Sequence, residues 1–415
     1  MTPPATRASR WLAAAALGSV LPLAAPPLAG PSAAAPPTCE DGSSPYISEP
    51  SADHEALGVP QTWRLAQGDG VTVAVVDSGV DADNEHLRSA VRGGTSLVGG
   101  DPTGRTDRYG LGTAIAGVIA ARRVPGSGMV GVAPEATILP VRVYQQVPSS
   151  PEEQVPDPPS ALEVSEGIRW AADKGAEVIN VSWSTPPDDP NLRLLEAAVS
   201  HAHRKGSLVV ASVGLTTGVD LRQPQYPAGA EHALGVAAAN ELGTVDEWSA
   251  HGPHVDVAAP GSNVLVTFFA TGDCYDATDH ADPGLATAYV SGLAAQLVER
   301  FPDEGPDEIA YRIQASAERP RRSERDDEQG GGLIRPLAAL SMSLDAQRAG
   351  PPVPGVGEYT RVSAARPTDV QGLVDEPDPM ARTRSMALTW GLVLGGAAAA
   401  ALILRPLLRR AMRER

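Results

Sequence analysis

The chain has 415 residues, enough for two average domains or for one large α/β domain with appendages. Its 50 acidic residues against 33 basic ones leave a formal charge of −17. That balance excludes the basic face a nucleic-acid partner requires and fits a well-solvated surface.

In chain order, the first feature is a secretory signal over residues 1–35. Arg7 and Arg10 precede an apolar run from Trp11 to Ala25, and the small residues from Ser32 to Ala35 offer a cleavage site. An extension over 36–55 carries Cys39. The main domain is expected over 56–346. Within it, Thr72 to Val76 is almost wholly apolar and ends in Asp77, the pattern of a strand buried on both faces. Thr113 to Ala121 is small and apolar, which suits a helix packed deep in the domain. Thr137 to Val143 predicts another strand, and the Pro-rich acidic stretch from Gln145 to Ser160 a surface loop. Ser160 to Lys174 has helical periodicity, with Gly175 as its C-cap. Further strands are predicted over Glu177 to Val181, Ser207 to Ala211 and Ala233 to Ala238. Further helices are predicted over Asn191 to Arg204, Gly284 to Phe301 and Pro306 to Ala317. This alternation predicts an α/β class, doubly wound, with a mostly parallel central sheet flanked by helices.

Beyond the domain, residues 347–385 are rich in Pro, Gly, Arg and Asp and read as a flexible stalk. Residues 386–404 contain no charge and span roughly 28 Å as a helix, close to the hydrocarbon thickness of a bilayer. The tail over 405–415 follows with Arg405, Arg409, Arg410, Arg413 and Arg415. The positive-inside rule makes it cytoplasmic and puts the bulk of the chain outside, on a single transmembrane helix in the cell membrane. Outside the cytoplasm Cys39 and Cys274 are expected to pair, two free thiols being the alternative. A bridge between them would pin the extension to the segment just before Gly284.

Three stretches carry the pattern with chemistry in it: VAVVDSGV at 73–80, GLGTAIAG at 110–117 and GLATAYVSG at 284–292. Together with VINVS at 178–182, LVVASVG at 208–214 and WSAHGPHVDVAAPGSNV at 248–264, they resemble the subtilisin-like serine proteases over residues 57–344. The resemblance implies a subtilisin-like fold and, in the family, peptide-bond hydrolysis by a Ser-His-Asp machine. Such a machine needs a nucleophile, a base within reach, a carboxylate that orients the imidazole, and donors for the oxyanion.

Carried over residue by residue, Asp77 holds the position of the triad acid. Leu111 holds that of the His and Gly284 that of the Ser. Leu215, after Gly214, holds that of the oxyanion Asn. Nothing nearby supplies a substitute. Ser291 lies two turns further along the same helix, about 10 Å deeper. Tyr109 is a phenol with an ordinary pKa near 10, a poor base at neutral pH. His86 sits in a segment (NEHL) where the family commonly has a non-catalytic His. The histidines at His201, His203, His232, His251, His254 and His280 are scattered without a metal-ligand pattern, so neither a metal nor a cofactor is expected. Asp77 itself reads as a structural anchor for its own turn. In a Ser-His-Asp enzyme, losing the nucleophile or the base costs about a millionfold in turnover, and losing one oxyanion donor about 10²–10³. A pseudoprotease is therefore expected, with none of the four positions functional.

The sequence of signal, subtilisin-like domain, stalk, membrane helix and basic tail is similar to the mycosins, the membrane-anchored subtilisin-like proteases of type VII secretion systems. That resemblance implies an N-terminal extension held on the domain by a disulfide, which suits Cys39. It also implies a terminal apolar segment like Ile334 to Ser341 (IRPLAALS), and partners among the secretion-complex membrane proteins. An architectural role can survive the loss of cleavage. Two other readings remain: a decoy that binds peptide segments in the cleft, and an active serine endopeptidase with a rearranged site. For the decoy, Ser182-Trp183-Ser184 would form one cleft edge, which Trp183 and the run from Pro186 to Asp189 can narrow.

Overall fold

A computed structural model describes residues 38–39, 46–147, 155, 157–215, 223–318 and 326–344, all within one compact unit. Most of its strands form where β-branched and small apolar residues run together: β1 (Thr72–Asp77), β2 (Thr95–Ser96), β3 (Thr137–Arg142), β4 (Val178–Val181), β5 (Leu208–Ser212), β6 (Ala233–Ala239) and β7 (Val257–Pro260), two-residue β2 being the polar exception. Among the described residues these seven build one sheet in the order β2-β3-β1-β4-β5-β6-β7, and every pairing is parallel. A separate antiparallel hairpin joins β8 (Val264–Thr267) to β9 (Asp273–Asp276).

The helices are α1 (Ala52–Ala56), α2 (Val59–Thr62), α3 (Leu111–Ala120), α4 (Ala161–Asp173), α5 (Leu192–Arg204), α6 (Pro283–Arg300), α7 (Pro306–Ser316) and α8 (Pro336–Ser341). They cover both faces of the sheet, as parallel strands require. In β1 the alternation is plain. Val73 and Val75 enter the core shared with α3 and α6, while Ala74 and Val76 enter the core shared with α4 and α5.

Helix α6 is the centre of the first core. Every residue from Pro283 to Leu297 is buried, so the helix has no solvent stripe. Small residues make this possible. A Cβ on Gly292 would lie 2.6 Å from Val132 Cβ, so the neighbouring chain packs directly on the α6 backbone. On the other face α4 and α5 are amphipathic and pack against each other, burying Val164, Ile168, Leu195 and Val199.

The predicted strands and helices form within one or two residues of their expected ends. The pairs that escaped prediction are short or polar. Two-residue β2 has no periodicity, and β9 reads Asp-Cys-Tyr-Asp, which no apolar pattern marks as a strand. The signal over 1–35, the stalk over 347–385, the membrane helix over 386–404 and the tail over 405–415 lie outside the described residues. Among the described residues, no helix is long and apolar enough to cross a membrane.

The extension is fastened to the domain at several points. Cys39 and Cys274 form a disulfide that links the extension to β9. Thr38 bridges to Tyr275, with Cys39 N–H donating to Tyr275 O at 3.2 Å. Further on, Tyr289 of α6 donates its hydroxyl to Asp53 Oδ2 at 2.8 Å. The free-thiol alternative is thereby excluded. The disulfide closes a loop with a sequence separation of 235 residues, so it strongly restricts the unfolded chain. Replacing both cysteines by Ser is expected to lower stability by about 2–4 kcal/mol, measured by urea denaturation under non-reducing conditions. Equal midpoints for the two proteins would contradict this.

Candidate functional site

The site lies where β1 ends, α3 begins and α6 begins. Asp77 closes β1 and has no solvent exposure. Its Oδ1 accepts from Ser78 N–H and from the Tyr144 hydroxyl, each at 2.7 Å, and its Oδ2 accepts from the Ser182 hydroxyl. Three donors thus surround the carboxylate, and all come from this domain. Burial pushes Asp77 up to about 7, against the pull of the Ser78 and Tyr144 hydrogen bonds and with a further push from Asp107. Asp77 thus hydrogen-bonds its own turn through Ser78 and reaches beyond it to β3's exit through Tyr144 and β4's exit through Ser182.

Leu111 opens α3 beside Asp77. The next residue, Gly112, donates its N–H to Ser78 Oγ at 3.1 Å, and a Cβ there would lie 3.2 Å from Asp77 Cβ. Gly110 precedes the helix at φ 102°, a left-handed conformation with no side-chain cap of its own. Asp107 supplies the cap instead. Its Oδ1 accepts from Tyr109 N–H and Gly110 N–H, and its Oδ2 from Thr113 N–H and Oγ1. The Leu111 side chain packs partly buried against the α3/α6 core, so position 111 serves packing.

Gly284 begins α6 one residue after Pro283. Asp282 is the N-cap, accepting from Gly284 N–H at 2.7 Å, and Pro283 fills the first helical position. The helix N-terminus, where backbone N–H groups and the helix dipole favour an anion, therefore already carries a carboxylate. Burial pushes Asp282 up to about 6, helped by Asp276 and opposed by the Gly284 N–H. A Cβ on Gly284 would sit 3.0 Å from Asp282 Oδ1 and 3.2 Å from Ser182 Cβ. Ser182 thus touches both ends of the site: its hydroxyl is on Asp77 and its Cβ faces position 284.

Leu215 lies on the far side of the Ser182–Ser184 segment and bridges to Ser249. Gly214 before it has φ 87°, and a Cβ there would lie 2.3 Å from Ser184 Oγ. Trp183 packs against the α4/α5 core, and Thr185 pairs with Tyr226 in both directions at 2.8 Å. Beside the site a cavity of about 560 Å³ opens between α3, the β8–β9 hairpin and α6. Tyr109, Leu111, Phe268, Phe269, Asp276 and Asp282 line it.

Of the substitutes considered from sequence, Ser291 and His86 are already engaged. Ser291 is fully buried and donates to Asn180 Oδ1 at 2.9 Å. His86 is fully buried, with Nδ1 2.6 Å from Arg122 O and Nε2 3.0 Å from Asp273 Oδ1, a brace between α3's exit and β9. Tyr109 is raised further by burial and by Asp282 and Asp77, so its phenol holds its proton. Sequence reasoning missed Tyr144 and Asp282. Tyr144 carried no signal, since its contact with Asp77 spans 67 residues. Asp282 was readable, because Asp followed by Pro ahead of an apolar run is a helix start. The histidines expected to be scattered are not all so: the fold gathers His203 and His232 with Asp307.

The pattern of the family Peptidase_S8, described as the subtilase family, matches residues 68–332. The chain belongs to the subtilase family. Mycosin-1 of Mycobacterium tuberculosis is 33% identical over 408 residues, covering 88% of this chain and 88% of that protein. This subtilase is therefore a mycosin homologue. The crystal structure of MycP1 from Mycobacterium smegmatis superposes with a TM-score of 0.65 at 27% identity, over 77% of this chain and 91% of that one. A further structure, titled as the serine protease MycP1, an essential component of the type VII (ESX-1) secretion system, has a TM-score of 0.63 at 29% identity. It covers 74% of this chain and 92% of that one. The mostly parallel subtilisin-like fold expected from sequence is thus the fold of the family.

The uncompensated Asp77 generates a pH prediction. Its folded pKa lies near 7, above the ordinary unfolded value of about 3.9. A raised carboxylate pKa leaves stability intact below pH 4 and erodes it as pH climbs through 7. Asp77→Asn keeps an acceptor for Ser78 and Tyr144 and removes the charge. It is expected to stabilise the protein above pH 7, by at most about 4 kcal/mol, and to bring no gain near pH 4. Denaturation midpoints of both proteins at pH 4.5 and 8 check this; a pH-independent difference contradicts it.

Proposed function

We propose that this subtilase is a catalytically silent mycosin, kept as an architectural component of a type VII secretion apparatus. The observation that carries the reading is the state of the two site poles. Asp77 accepts from Ser78, Tyr144 and Ser182, and no imidazole is among its hydrogen-bond partners in the described residues. The Gly284 N–H is held by Asp282 instead of being open to an oxyanion. In this reading Asp77 is a relic of the triad acid, Leu111 stands in the place of the base, Gly284 in that of the nucleophile and Leu215 in that of the oxyanion side chain. A hydrolase lacking base and nucleophile retains only about 10³–10⁴ over water through its oxyanion hole and binding, and losing one oxyanion donor removes about 10²–10³ of that, too little for peptide bonds.

The architectural half rests on the resemblance to a protein described as an essential secretion-system component. It rests also on the uncharged segment at 386–404 and the basic tail behind it. On this reading the domain is extracytoplasmic, carried on one membrane helix, and meets membrane proteins of the secretion complex. Deleting the gene is expected to impair assembly or secretion, and a version lacking residues 386–415 is expected not to restore it. Normal secretion in the deletion strain overturns this half.

For the silent half, a fluorophosphonate probe is expected to leave the protein unlabelled. Restoring the polar groups alone, as Leu111→His with Leu215→Asn and Gly284→Ser, is expected to leave labelling at least about tenfold weaker than the same variant carrying Asp282→Gly, because the N-cap carboxylate occupies the oxyanion position. Covalent labelling of the unaltered protein would refute the silent reading.

A further inference from the structure

Away from the site, the fold brings together three side chains that the sequence spreads over more than 100 positions. His203 stands in the last turn of α5, His232 in the turn before β6, and Asp307 in the first turn of α7. His203 Nε2 lies 3.0 Å from Asp307 Oδ1, and His232 Nδ1 lies 3.6 Å from the same oxygen. One donor atom from each of the three lies within 4.8 Å of the others. The imidazole rings stack at 3.8 Å with an interplanar angle of 12°.

We propose that His203, His232 and Asp307 form a binding site for a divalent cation of the zinc class. The separations decide the kind of ion. Tetrahedral zinc, with ligands at 2.0–2.1 Å, sets its donors about 3.3–3.4 Å apart. The 3.0 Å and 3.6 Å edges here bracket that value. Two imidazoles with one carboxylate suit zinc, nickel or copper, whereas calcium and magnesium require oxygen donors.

The outer contacts support the same assignment. Glu231 Oε1 lies 3.9 Å from His232 Nε2, the nitrogen turned away from Asp307. At that distance the exposed carboxylate makes no hydrogen bond to the ring, but it adds negative charge beside the cluster. His232 sits at φ 71°, in the left-handed region that His enters more readily than most non-glycine residues. The histidines are 23% and 32% exposed and Asp307 48%, so an ion can reach them and water can complete its shell. Binding requires the stacked rings to fan apart so that each nitrogen points at the ion. Their partial exposure leaves room for that turn. The ion would tie α5, the turn before β6 and the start of α7 into one unit.

The test is isothermal titration of the full-length protein with zinc chloride at neutral pH. One zinc per chain is expected, with no heat from calcium or magnesium. His203→Asn, His232→Asn and Asp307→Asn are each expected to weaken affinity at least about tenfold. Metal-free melting temperatures of these surface variants confirm that they fold. Carbethoxylation of the unaltered protein, mapped by mass spectrometry, offers a reading that needs no variant: zinc is expected to protect His203 and His232 while leaving His201 reactive. Unchanged zinc affinity in the His203→Asn/His232→Asn variant, absence of stoichiometric binding at submillimolar zinc, or unaltered reactivity of the two histidines overturns the proposal.

Discussion

The structure depends on the complete burial of helix α6. A helix buried from Pro283 to Leu297 must be small-sided where strands and neighbouring loops press on it. Gly292 against Val132 shows how little room is left. The same burial makes the start of the helix chemically demanding, because its first N–H groups need partners where water has limited access. In a working serine hydrolase those donors face an oxyanion. Here the Asp282 carboxylate takes the Gly284 N–H, so that donor is satisfied without a ligand.

A second consequence concerns charge. Asp77 is enclosed at the end of β1 and faces hydroxyls and one backbone N–H, with no cation among its hydrogen-bond partners. Dipoles from neutral donors compensate a carboxylate less completely than an imidazolium would, which is why burial dominates and its affinity for a proton is high. Asp77 is well suited to tie β1, β3 and β4 together at their carboxyl ends, where Tyr144 and Ser182 reach it.

Much of the architecture was legible because it rests on local pattern. The apolar run into Asp77, the small-residue helix after Leu111 and the long apolar helix after Pro283 each announce an element by their own composition. The hairpin was not legible. Asp273–Asp276 becomes a strand because Cys274 is tied to Cys39 and the strand pairs with Val264–Thr267. The packing of Trp183 was likewise hidden, since the α4/α5 core that receives it is assembled from remote segments.

The sequence by itself determined the longer strands and helices, which follow from periodicity, and through the resemblance of its motifs it pointed to the family and to the residues standing at 77, 111, 215 and 284. Only the tertiary structure decided what those residues touch. That Tyr144 and Ser182 meet at Asp77, and that His203, His232 and Asp307 converge, are facts about segments dozens of residues apart, whereas the Asp282 cap two residues before Gly284 is local. No local pattern encodes such meetings, because they arise from how helices close over a shared sheet and which side chains that closure brings within hydrogen-bond reach.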